Sequence, residues 1–231
     1  MSRVDREVVF VLHRRPFRDT SLVLDLFSAG HGRIGALGRA ARNPKSPFFG
    51  LTEPFRPLQA SWVRRGEMAT LTGLEPAGSP VRLVARALWC GLYANELLMR
   101  LLQRDDPDPA IHQAYAELLP RLADAGDQAS ALRRFELSVL RALGVAPDLA
   151  VCGATGRKVK PDQVYRLDPA LGPVPVEAGQ PGIEGRVFCR LAAGETLQNA
   201  DARAARGLMR QLIDHQLDGR PLKTPALFRE N

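Results

Sequence analysis

The residues whose types and spacing could do chemistry in this chain are cations. Between Gly30 and Gly66 stand Arg33, Arg39, Arg42, Lys45, Arg56, Arg64 and Arg65, against the single acid Glu53. Arg14 and Arg15 lie shortly upstream. A surface that served solubility alone would mix both signs. A one-signed cluster suits a polyanion, because each neutralised phosphate releases a condensed counterion. Phe17, Phe48, Phe49 and Trp62 interleave with these cations. Rings of that kind can stack on unpaired bases if exposed, although each taken singly reads better as a core residue. The excess is local. Residues 1–80 hold 12 Lys/Arg and 7 Asp/Glu, and the rest of the chain holds 20 and 18, so the net +7 and the pI near 9.9 come mostly from the first third.

Other chemistry leaves little trace. The sequence has no Walker A, GxGxxG, HExxH or GxSxG pattern. His13, His31, His112 and His215 stand in four separate segments with no signature joining them. The expectation is therefore no catalytic residue and no cofactor. "CGATG" at Cys152 has knuckle-like glycines but no second cysteine at metal-ligand spacing, and Cys189 stands alone in "FCRL". No metal is expected, and Cys90, Cys152 and Cys189 are too few and scattered for a disulfide framework. A reducing cytoplasm is the matching compartment. No apolar run approaches the ~18 residues of a membrane span.

A second candidate site lies in "LRRFELSVLR". At 100° per residue the apolar stripe runs through Leu132, Val139 and Leu143, while Leu137 falls about 140° from Leu132, between Arg133 and Arg141. An apolar residue flanked by guanidinium groups suits an acidic, hydrophobic peptide tail. The plainer alternative is that a second helix covers Leu137 and the arginines reach solvent.

These residues need elements to hold them. Residues 7–75 read as five short strands, "EVVFVLHRR", "SLVLDLFS", "GRIGALG", "FRPLQASWVRR" and "MATLTGLE", broken by Gly- and Pro-containing turns. Five strands in so short a span predict a small barrel, an OB-fold or an SH3-like one. After Pro80 the apolar period becomes helical. Helices are expected over "VRLVARALWCGLYANELLMRLLQ", over "AIHQAYAELLPRLADAG" with Pro120 bending or breaking it, over "DQASALRRFELSVLRALG", and from Asp201 to Leu217. Residues 151–185 hold 11 Gly or Pro and read as an irregular insertion or a mobile loop, with only "QVYRLD" strand-like. The expected class is α+β: an OB-fold over residues 1–79 and a mainly helical domain over 80–231.

Taken in order, "VLHRRPFRDTSLVLDLFSAGHGRIGALGRAARNPKS", "EPFRPL", "RRGEMATL", "GLYANELLMRLL", "LRRFELSVLRALG", "CGATG" and "RPLKTPALF" resemble the bacterial RecO family of DNA repair and recombination mediators. The resemblance spans nearly the whole chain. It implies an N-terminal OB-fold, helices after it and no enzymatic catalysis. It also implies binding of single- and double-stranded DNA, annealing of complementary strands, and loading of RecA onto DNA coated by single-strand binding protein. The implied partners are RecR and the acidic, phenylalanine-ended tail of the single-strand binding protein; a cytoplasmic, nucleoid-associated location follows. On the family's motifs Arg39, Arg42 and Lys45 match basic positions after the third strand, and Arg133 matches the first arginine of its helix. Two departures stand out. Many members have glycine where Ala40 stands, and others carry a four-cysteine zinc module where only Cys152 remains. The competing readings are an RNA- or ribosome-binding OB protein, an adaptor for acidic protein surfaces, and a hidden hydrolase.

Overall fold

The computed structural model describes residues 1–124, 126–177, 179–217 and 219–224. By contacts the chain divides into two units, one of residues 1–123 with the segment from Leu222, the other of residues 124–221.

The first unit opens with β1 (Ser2–Phe17), β2 (Ser21–Ser28), β3 (Gly32–Gly38), β4 (Leu58–Arg64) and β5 (Ala69–Pro76). They close in the order β1-β2-β3-β5-β4, with β3 and β5 parallel and the other pairs antiparallel. This is the expected five-stranded OB-fold barrel. The 16-residue β1 reaches both neighbours because it bends: irregularities at Val4/Glu7 and Val11/His13 let its first part pair with β4 and its second with β2. Alternation sends Val9, Val11, Leu24, Leu26, Ile34, Ala36, Leu58, Trp62 and Leu71 into the barrel.

The opposite face of β1 and β2 is also buried, which explains their unbroken apolar runs. Two helices follow, α1 (Ala85–Leu101) and α2 (Pro109–Ala123). The Tyr115 ring of α2 meets Phe10 edge-on at 5.1 Å and Phe27 at 6.2 Å. Asn95 of α1, 3% exposed, ties the layers: its Nδ2 donates to the Leu12 carbonyl at 2.9 Å and its Oδ1 accepts from the Tyr115 hydroxyl at 2.6 Å. Asn95→Leu removes both buried bonds and is expected to cost about 2–6 kcal/mol, at roughly 1–3 per buried group left without its partner. Chemical denaturation checks this, and an unchanged midpoint would contradict it. Pro120 does not end α2, which continues to Ala123. Its missing N–H and its ring fall on the Ala116 carbonyl one turn back, and the helix is held there by its buried Leu118, Leu119 and Leu122.

The chain returns to this unit at Leu222. Glu96 of α1 accepts from the backbone N–H groups of Lys223 and Thr224, each at 2.8 Å, and from the Thr224 hydroxyl. Burial pushes the Glu96 pKa up, but these bonds and nearby Arg100 outweigh it and leave the carboxyl below its ordinary range. The clasp's contribution is therefore present above the unfolded pKa of about 4.3 and is lost as pH falls through the lower folded value. In thermal melts the gap between wild type and Glu96→Gln should close on acidification. A gap that stays constant down to the lowest pH at which the chain folds would refute the clasp's ionic character. The tail beyond Thr224, including the rest of "RPLKTPALF", lies outside the described residues.

The second unit contains α3 (Gln128–Ala142), β6 (Val164–Asp168), β7 (Gly172–Pro175), β8 (Ile183–Glu184), α4 (Gly185–Ala193) and α5 (Asn199–Gln216). The described part of 151–185 is built structure: a three-stranded sheet in the order β7-β6-β8, with Val151 bridging Lys158. Its glycines permit close backbone approach. A Cβ on Gly153 would lie 2.1 Å from the Leu171 carbonyl oxygen, and one on Gly185 2.0 Å from that of Lys160. Cys152, Val159, Tyr165 and Leu167 are buried beneath it. Thr155, at the spacing a second zinc cysteine would need, instead hydrogen-bonds the Cys152 thiol, the chief cause of its lowered pKa. Among the described residues no three His, Cys, Asp or Glu side chains converge, so they do not fit a zinc module. Packing holds this segment. Among the described residues no helix is long and apolar enough to cross a membrane.

Candidate nucleic-acid interface

The basic loop after β3 is fastened to the β1–β2 hairpin along its length. The Arg42 N–H donates to the Thr20 carbonyl at 2.8 Å, and the Ala40 N–H to Ser21 Oγ at 3.3 Å. Farther on, Glu53 pairs with Arg14 of β1 at 2.7 Å. Between these ties the loop runs in successive turns, with Asn43, Ser46, Phe49 and Leu51 N–H groups each donating to a carbonyl three residues back. Its apolar residues are sorted by direction. Ala41 and Phe48 enter the barrel core, while Phe49 stays 52% exposed. Arg39, Arg42 and Lys45 are exposed around them.

The hairpin supplies the facing cations. Arg14 and Arg15 are exposed, as is Phe17 at 40%. The Arg18 guanidinium lies 5.3 Å from the Phe17 ring centroid. Arg18 belongs to "PFRDT", which the sequence marks only as a break; the overlooked signal is a cation next to an aromatic at a hairpin tip. Among the described residues Arg15, Arg39, Arg42 and Lys45 take part in no ion pair; of the two acids nearby, Glu53 is held by Arg14 and Asp19 is exposed beside Arg18 at the hairpin tip. The structure thus brings Arg14, Arg15, Arg39, Arg42 and Lys45 together on two tied elements. The charge of Arg15, Arg39, Arg42 and Lys45 is available to an anion at low desolvation cost.

The remaining expected contacts separate from them. Arg33 points to the outer barrel face, since its neighbour Ile34 points in. There its guanidinium donates to the Met99 carbonyl of α1, and burial pushes its pKa down, with Asp25 offsetting and Arg104 adding to the shift. Arg104 itself lies over Gly35 to reach Asp25 at 3.1 Å. Arg33 is thus a tie between barrel and helix, not part of an open phosphate face. Arg64 is paired with Asp105 at 2.6 Å. Arg56 is half-buried just before β4, and Arg65 is exposed just after it, so these two flank opposite ends of that strand. Of the four rings, Phe48 and Trp62 are core residues at 8% and 3% exposure.

Ala40, where a glycine was the expected turn former, still turns: its φ is +53°. A side chain in this left-handed region is strained by roughly 1 kcal/mol. Ala40→Gly relieves that strain but adds freedom to the unfolded chain. The net expectation is stability equal to or up to about 1 kcal/mol above wild type. A clear fall in melting temperature would show that the loop needs the methyl group.

The triad on α3 is not open. Arg133 is 9% exposed and bonded to Glu136 at 2.5 Å; Leu137 is 2% exposed; only Arg141 is exposed, donating to the Ala192 carbonyl at 3.1 Å. The helical angles are as expected, but α3 buries Ala131, Leu132, Arg133, Phe135, Glu136, Leu137, Val139 and Leu140, so it is covered well beyond one stripe. Leu137 is covered, as the plainer reading has it, but Arg133 is buried against Glu136 and does not reach solvent as that reading supposes.

Comparison with known proteins agrees with this architecture. Residues 1–80 match the family model "Recombination protein O N terminal", and residues 83–226 match "Recombination protein O C terminal". The chain is 41% identical to the DNA repair protein RecO of Methylococcus capsulatus, over 100% of this chain and 95% of that one. It is 40% identical to that of Aromatoleum aromaticum, covering 99% and 96%, and 42% identical to that of Alkalilimnicola ehrlichii, covering 99% and 92%. With both of its models matched in order and relatives of this identity aligned end to end, the chain belongs to the RecO family.

Proposed function

We propose that this chain acts in DNA repair as a recombination mediator rather than as an enzyme. It binds single- and double-stranded DNA, anneals complementary strands, and helps load RecA onto DNA coated by single-strand binding protein. The observation that carries the reading is the cationic excess at this end of the barrel, where Arg15, Arg39, Arg42 and Lys45 are exposed and outside any ion pair among the described residues, against only Asp19 and Glu53. Two single strands repel each other. A cationic surface neutralises both backbones and leaves the bases free to pair. Nothing in this step needs a bond to be made or broken by the protein.

RecR and the acidic tail of the single-strand binding protein are the proposed partners. Binding of the tail at α3 would require Arg133 to share or release Glu136, so Arg141 is the better residue to probe. By calorimetry, Arg141→Glu should weaken binding of a tail peptide; full affinity would remove α3 from this role. The RNA-binding alternative shares the basic barrel and separates by competition. Excess structured RNA should displace bound single-stranded DNA poorly. If the RNA wins at equal nucleotide concentration, the DNA reading gives way to it.

A further inference from the structure

The two exposed rings at the loop end of the barrel are not needed by a surface that reads charge alone. Phe17 and Phe49 are 40% and 52% exposed; Phe49 adjoins Phe48 of the core, and Phe17 ends a strand whose Phe10 and Leu12 are covered. Both rings lie on the two tied elements that carry the cations. Phe17 falls between Arg14–Arg15 and Arg18 on the hairpin, and Phe49 falls between Lys45 and Glu53 on the loop tied to that hairpin. The Arg18 guanidinium beside the Phe17 ring adds a delocalised cation at the same spot. Such a pattern of flat apolar faces inside a phosphate-binding surface fits a ligand with both phosphates and exposed base faces. A duplex hides its base faces in the stack; a single strand offers them.

We infer that the loop end of the barrel takes single strands in preference to duplex by stacking unpaired bases on Phe17 and Phe49. This rests on the DNA-binding reading above and adds to it a strand class and two recognition residues. The cations hold the backbone of either form. The rings reward only the form whose bases are free, by about tenfold in affinity for each base stacked. They are sequence-tolerant, since every base has a π-face.

The test uses the full chain and three probes of about 12 nucleotides, a length within the reach of one OB-fold. The probes are a thymidine strand, an abasic sugar–phosphate strand and a duplex, compared at one salt concentration by fluorescence anisotropy. Wild type should bind the thymidine strand at least about tenfold more tightly than the abasic one. Phe17→Ala/Phe49→Ala should lose that preference while binding the abasic strand and the duplex within about twofold of wild type, which also shows that it is folded. Phe17→Trp/Phe49→Trp should keep or increase the preference. A wild type indifferent to bases, or a double alanine variant that keeps the preference, overturns the inference and leaves the cationic DNA site standing. Failure of wild type to bind any of the three probes overturns the inference together with the reading it rests on.

Discussion

Arg39→Glu/Arg42→Glu is expected to bind single-stranded DNA about a hundredfold more weakly than wild type at ~50 mM salt. Each phosphate contact to a single strand contributes about 0.7 to the slope of log affinity against log salt. At that salt one contact is then worth roughly eightfold, two are worth about sixtyfold, and the added repulsion of two carboxylates extends the loss. The slope itself should fall by about 1.4 or more. The change is made on exposed side chains of a loop whose anchors are Ala41, Phe48 and the Thr20 carbonyl, so the barrel should unfold at its wild-type temperature. Arg33→Gln provides the contrast. Because that guanidinium is turned into the barrel–helix layer, its loss should lower stability while leaving the salt slope unaltered. A wild-type slope in the double variant would place the phosphates elsewhere.

The second large effect is on stability. Arg133→Ala is expected to cost about 3–5 kcal/mol, because Glu136 is fully buried and would lose its counter-charge. For a unit of this size that corresponds to a fall of roughly 10 °C or more in its melting transition. Arg133→Met/Glu136→Leu should recover much of the loss, since replacing a whole buried pair by apolar groups of similar volume is often neutral. Calorimetric scans of the three proteins decide the matter. An Arg133→Ala protein that melts with wild type would mean that solvent reaches the pair. The same result bears on the partner tail, because loss of tail binding by Arg133→Ala would not distinguish a lost contact from a disturbed helix.

How much of this was legible in the sequence depends on the range over which each residue acts. The barrel strands and the helices announce themselves locally, through the short apolar run of "SLVLDLFS" bounded by turns and a 3.6-residue period in "LRRFELSVLR". Even so, β1 begins at Ser2, several residues before its apolar run, because polar Asp5, Arg6 and Glu7 pass through an irregularity beside β4 and Arg6 takes a φ of +56°. Asn95 reads as an interruption of an apolar helix; its purpose lies 83 residues away at Leu12 and 20 away at Tyr115. Asp25, in the middle of an apolar strand, waits likewise for Arg104, 79 residues on.

The same limit sorts the candidate sites. The cations after β3 could be read from sequence because one loop carries them. Alternation puts Arg33 on the outer barrel wall, but whether that wall is covered depends on where α1 packs, and the fate of Leu137 depends on what surrounds α3. Helical angles give a residue's direction but not its cover. The Gly/Pro-rich stretch 151–185 was ambiguous for a related reason. Its glycines serve close backbone contacts such as Gly153 against Leu171 and Gly185 against Lys160, and in sequence these look the same as glycines in a loose loop.

The central claim is that the barrel's cationic end makes this chain a mediator. It is tested most directly by annealing complementary strands coated with single-strand binding protein, comparing wild type with Arg39→Glu/Arg42→Glu, and tailed with tail-less coat protein. Wild type should accelerate annealing on the tailed coat and much less on the tail-less one, and the variant should accelerate neither. Equal acceleration by wild type and variant, or none by wild type on either coat, would contradict the account.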